Sequence, residues 1–181
     1  MERNTKIILG ITAAIVAGCA VLSFGSQDNP LETVPYVDLE KYAGRWYEIS
    51  AFPHRFEKDC HCSMAEYKVK KNYVEVVNSC RKNSATGKLK VVKGKAFVAD
   101  KQTNAKLKVK FFLIFKGDYW ILDLAPDYSY TVVGSPDRNY LWILARQPVM
   151  DTVLHQEIVA RIKDKGFDVS KLKMVDQHCS E

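Results

Sequence analysis

Beyond about residue 43, large apolar side chains recur at every second position, and this alternation decides what the chain can fold into. The cleanest run sets Leu107, Val109, Phe111, Leu113 and Phe115 against Lys106, Lys108 and Lys110. A period of two belongs to an extended strand, with the lysines on a wet face and the apolar set on a buried one. Related runs cover Tyr67 and Val69, then residues 73–77, 89–92, 96–98, 120–124, 130–133 and 140–145. Turn signals separate them: Lys70-Lys71-Asn72, Ala85-Thr86-Gly87, Gly117-Asp118, Pro126-Asp127 and Ser135-Pro136-Asp137. Short strands so punctuated specify an all-β sandwich or barrel. No internal repeat interrupts the pattern, and 181 residues suffice for one domain.

One segment breaks the alternation. Across residues 152–165, Leu154, Ile158 and Ile162 fall four apart and share one helical stripe. Asp151 can cap the start and Gly166 can end it. A single helix cannot fill a sheet core, so it is expected outside the sheet. Residues 173–177 form a last short strand in this reading. The expected fold is therefore all-β, an eight-stranded antiparallel up-and-down barrel with one C-terminal α-helix packed outside. Closure removes exposed strand edges, and eight strands leave room for one small ligand.

The N-terminus has the layout of an export signal. Arg3 and Lys6 precede a largely apolar run over residues 7–18, which ends in Val16-Ala17-Gly18-Cys19. A cysteine after small residues resembles the lipobox of bacterial lipoproteins. That resemblance implies cleavage after residue 18, acylation of the Cys19 thiol and then of the new amine. Two or three acyl chains anchor stably, at about 0.8 kcal/mol per buried methylene. Ala20 rather than Asp follows the cysteine, which by the same resemblance favours the outer membrane. An uncleaved anchor is the rival, because apolar residues continue through Val21, Leu22 and Phe24. Residues 1–18 are thus expected to be a signal peptide, 19–36 a lipidated tether, and 37–181 the barrel with its helix.

Four further cysteines, Cys60, Cys62, Cys80 and Cys179, read as two disulfides in an exported chain. Spacing leaves all three pairings open. A thiolate–imidazole metal site from Cys60-His61-Cys62 and His178-Cys179 is the competing reading, but the spacing is tight and the compartment oxidising. No metal and no cofactor is expected.

Near the start of the first strand stands Gly44-Arg45-Trp46-Tyr47-Glu48-Ile49, and residues 136–146 read PDRNYLWILAR. Here the chain resembles the lipocalin family, in particular bacterial outer-membrane lipocalins of the apolipoprotein D type. The resemblance covers residues 36–177 and includes Phe52-Pro53-His54-Arg55-Phe56-Glu57 and residues 165–171. It maps the family's G-x-W onto Gly44 and Trp46, and its late arginine onto Arg146. It implies that Trp46 plugs the closed end of the barrel with Arg146 laid over the indole. Such a contact contributes about 0.5–2 kcal/mol. The middle motif is matched only loosely, by residues 127–131. The resemblance also implies the pairing Cys62–Cys179 with Cys60–Cys80, the alternative being Cys62–Cys80 with Cys60–Cys179.

The family's apolar cup implies a fatty acid, a lysophospholipid or a similar amphiphile as ligand, held, stored or transported at the bacterial envelope, with a role in membrane maintenance under stress. Candidate wall residues are Val74, Val76, Phe97, Leu107, Val109, Phe111, Leu113 and Leu122. The expected partners are that lipid and, through the anchor, the membrane; a homodimer stands open. Eight lysines against one acid between Lys88 and Lys110 form a positive flank, either a solvated outer face or an attractor for anionic headgroups. Nucleic acid is not expected, since the net charge of +6 comes without an aromatic–basic platform. No phosphate loop, nucleophile elbow or zinc-protease helix is present, so no catalytic residue is assigned. The alternatives are a lipocalin-fold enzyme and a ligand-free structural lipoprotein.

Overall fold

A computed structural model of the chain describes residues 30–54, 57–111 and 115–179. Cys19 and the signal and tether expected before residue 30 lie outside the described residues. Eight antiparallel strands make the wall: β1 (Gly44–Ala51), β2 (Cys60–Val69), β3 (Val74–Lys82), β4 (Leu89–Val98), β5 (Lys106–Phe111), β6 (Phe115–Leu124), β7 (Tyr130–Gly134) and β8 (Leu141–Ala145). Each pairs with the next, and β1 pairs with both β8 and β2, which closes the barrel. The alternation placed these strands with two corrections, the first being that the runs over residues 89–92 and 96–98 are one continuous strand, β4. Gly117 and Asp118 lie within β6, paired with Val109 and Lys108, instead of forming a turn.

Two clusters split the core by face. Inside, Trp46, Tyr67, Val76, Leu107, Ile121 and Leu144 belong to one buried group. Outside, Leu122, Val132, Leu141 and Ile143 meet Ile158 and Ile162 of helix α2 (Thr152–Asp164). The helix lies on the outer face, capped by Asp151, whose carboxylate accepts from the Leu154 N–H. Packing begins earlier than expected: Leu31 is buried in the outer cluster, and the Val34 N–H donates to the Ile121 carbonyl. The apolar side chains at 31, 34 and 37 find partners, so residues 31–36 belong to the body. A one-turn helix, α1 (Leu39–Tyr42), follows and is capped by Asp38.

The C-terminal strand β9 (Lys173–Met174) is shorter than the expected 173–177, and its place is unusual. It pairs with the end of β1 through Ser50 and Ala51. Beyond it, the Val175 N–H donates to Ile49, and the Asp176 carbonyl accepts from Cys62 of β2. Gln177 Nε2 donates to both Glu48 of β1 and Ser63 of β2, at 2.8 and 2.9 Å. The tail is thus a wedge between β1 and β2 where those strands diverge. Bridges join Cys62 to Cys179 and Cys60 to Cys80.

Candidate functional site

Along β1, Trp46 marks one end of the barrel and Ala51 the other. Trp46 is fully buried, and its Nε1–H donates to the Tyr42 carbonyl at 2.8 Å. The Arg146 guanidinium carbon lies 3.7 Å from the indole centroid. The same guanidinium donates to the carbonyls of Lys41, Tyr42, Arg45 and Tyr128. Gly44 has φ +93°, which a side chain would strain, and its missing Cβ would stand 3.4 Å from Arg146. Tyr128, in the loosely matched middle motif, accepts the Asp38 N–H on its hydroxyl and so ties α1 to the floor. This end is shut.

Above the floor the interior is filled. Tyr42 and Tyr119 hydroxyls stand 2.7 Å apart, and Tyr119 donates to Tyr67 at 3.0 Å. Burial pushes all three phenols up, Tyr42 to about 12. Only about 10 Å³ remains free among them and their apolar neighbours.

The open space lies elsewhere. A cavity of about 470 Å³ occupies the other end, between the end of β1, residues 52–54 and 57–59, the start of β2 and the tail. Ala51, Phe52, Pro53 and Val175 give it apolar walls, and Lys58 and Lys173 stand exposed among its lining residues. Its size is ordinary for a small-molecule site. Its buried carboxyl is Glu48, two residues above Trp46 on the same face and only 6% exposed. Burial, then the charge of Glu57 and a hydrogen bond with it, hold the Glu48 carboxyl well above its usual 4.5. His54 Nε2 lies 2.9 Å from the Glu57 carboxylate. The His54 ring also meets the edges of Tyr140 and Trp142, which stack on each other at 5.9 Å. Among the described residues, no group of three His, Cys, Asp or Glu side chains is disposed to hold a metal ion.

The candidate wall residues fall into four groups. Val74, Val76, Leu107 and Val109 point inward, yet they pack in the filled half beside the tyrosines. Phe111 is half-buried higher up, over Gly94, whose Cβ would stand only 2.6 Å from its ring. Phe97 and Leu122 are corrected. Ala96 pairs with inward Val109, so Phe97 must point out, where Lys110 covers its ring at 5.2 Å. A bulge after Ile121 turns Leu122 out beneath α2. Leu113 lies outside the described residues. The basic flank is partly an outer cover: Lys95 lies over Tyr73 and Lys106 over Trp120, at 4.7 and 4.4 Å. Sequence reasoning missed Glu48, Glu57 and His54. One signal was available, since Glu48 alternates in phase with Trp46 and so shares its buried face.

The sequence profile of the lipocalin-like domain matches residues 37–177. The outer membrane lipoprotein Blc of Escherichia coli K12 is 36% identical over 173 residues, covering 94% of this chain and 97% of its own. Mouse apolipoprotein D is 37% identical over 154 residues, covering 77% of each. Among solved structures, insecticyanin of the tobacco hornworm Manduca sexta superposes with a TM-score of 0.66 at 23% identity, covering 81% of this chain and 84% of its own.

Proposed function

The chain belongs to the lipocalin family, and from that premise we propose that it binds a single-chain amphiphile, a fatty acid, lysophospholipid or similar lipid, for storage or transport at the bacterial envelope. One observation carries this: an open cavity of about 470 Å³ with apolar walls, at the end opposite the shut Trp46 floor. The filled half below it limits the ligand to the upper part of the barrel. Binding, and no catalysis, is the activity we assign. The similarity to lipoproteins of the bacterial outer membrane supports anchoring there through Cys19, with a part in membrane maintenance under stress. Among the described residues no helix is long and apolar enough to cross a membrane; the anchor we assign is the acylated Cys19.

Displacement of an uncharged fluorescent lipid from the purified chain tests the carrier role. Competition by long-chain lipids in the micromolar range is expected. Failure of every lipid and retinoid to displace the probe would sink it and leave a structural lipoprotein. Intact-mass spectrometry of the membrane-purified protein tests the anchor, because acylation at Cys19 adds the mass of its chains and hydrolysis of the peptide bond before it removes residues 1–18.

A further inference from the structure

We propose that the open cavity selects amphiphiles with an ammonium head and turns away ionised carboxylates, with Glu48 and Glu57 receiving the head and the alkyl chain leaving toward the mouth. This rests on the carrier reading and narrows it.

The cavity holds a buried carboxyl for which no lysine or arginine among the described residues serves as counter-ion. Glu48 is more than nine-tenths buried and lines this space. What acts on it is burial and a second carboxyl, Glu57; no lysine or arginine among the described residues offsets either. A buried carboxylate without a cation is costly, and two acids in contact cannot both ionise easily. Glu48 therefore holds a proton that an entering cation can replace.

The other titratable groups do not change this. His54 is engaged with Glu57 at 2.9 Å. Lys58, Asp59 and Lys173 line the same cavity but stand exposed, where water screens their charge. An ammonium head at Glu48 pairs with its carboxylate, releases the Glu48 proton to solvent, and leaves its chain against Ala51, Pro53 and Val175. An ionised carboxylate at the same place adds a negative charge beside a buried acid that already resists ionising. It is admitted only with a proton of its own.

The test compares three twelve-carbon probes on the full chain at pH 7: dodecylamine, laurate and dodecanol, each displacing an uncharged fluorescent lipid. The amine is cationic and laurate anionic at this pH, as for lysine and glutamate side chains. Dodecylamine is expected to bind at least about tenfold tighter than laurate, the scale of one modest charge contact. In Glu48→Gln the amine should weaken and laurate should tighten, so the ratio collapses. Opposite movements in one variant cannot come from damage to the fold. Should Glu48→Gln fail to fold, Glu57→Gln is expected to shift the ratio the same way. Equal affinities in the unaltered chain, or tighter laurate, would overturn the selectivity. Binding of dodecanol together with that result would leave the carrier reading standing, whereas failure of all three probes would remove the carrier reading itself.

Discussion

Arg146 gathers four peptide carbonyls and one indole face, so it is the residue that holds α1, the start of β1 and the β6–β7 turn together. Arg146→Ala removes all of these contacts and strands carbonyls at the closed end. A loss of about 2–4 kcal/mol is expected from urea unfolding. Arg146→Lys should recover less than half, because an ammonium cannot lie flat on the ring while reaching several acceptors. At the other end of β1, Glu48 gives stability a pH dependence of known sign. Its folded-state affinity for protons exceeds that of the unfolded chain, so its contribution is full below pH 4.5 and is lost as pH rises from there through its raised folded value. Thermal unfolding is therefore expected to show Glu48→Gln more stable than the parent at pH 8, with the gap closing at pH 4. The closed-end residues were legible because glycine, tryptophan and arginine form a spaced motif. Glu48 was legible only as a phase, since nothing in its neighbours announces that a carboxyl is buried.

At the scale of elements, strands and helix followed from periodicity, while the faces of individual residues did not always follow. Phe97 was assigned inward as part of an apolar run, but its neighbour Ala96 takes the inward place. Leu122 was displaced by a bulge, which inserts one residue and reverses the phase. No composition rule marks such a slip. The helix makes a sharper demand. Gly134 has no side chain because Leu122 and Phe167 already fill that space, and a Cβ would stand 2.8 Å from each. Gly134→Ala should thus cost about 1–3 kcal/mol by overpacking, without exposing the barrel interior. Asp151→Ala, which frees the Leu154 N–H at the helix start, should cost about 1 kcal/mol. Urea midpoints separate the two, and near-UV circular dichroism should change for the first only, because Phe167 must move.

For the whole molecule, closure of eight strands was legible in the number and spacing of the alternating runs. The division of the interior into a filled half and an open half was not. It depends on three tyrosines, Tyr42, Tyr67 and Tyr119, that converge from α1, β2 and β6. The place of the tail was equally hidden, since two residues of strand pairing leave no periodic trace. Its bridge spans 117 residues of chain, so Cys62→Ser with Cys179→Ser is expected to lower stability by about 4–5 kcal/mol in the chain-entropy account. The urea midpoint should fall while the Arg146–Trp46 floor, far along β1, keeps its tryptophan emission. The wedge between β1 and β2 also sets an order in time. Those two strands are made early, yet the piece that completes the seam between them is made 117 residues after Cys62. A nascent chain cannot finish this wall until that piece has emerged. The finished wall needs residues 173–179 and an oxidised thiol pair. Maturation therefore waits on that late segment and on a compartment that forms disulfides, and a copy that stops short of Cys179 carries an open seam beside the cavity.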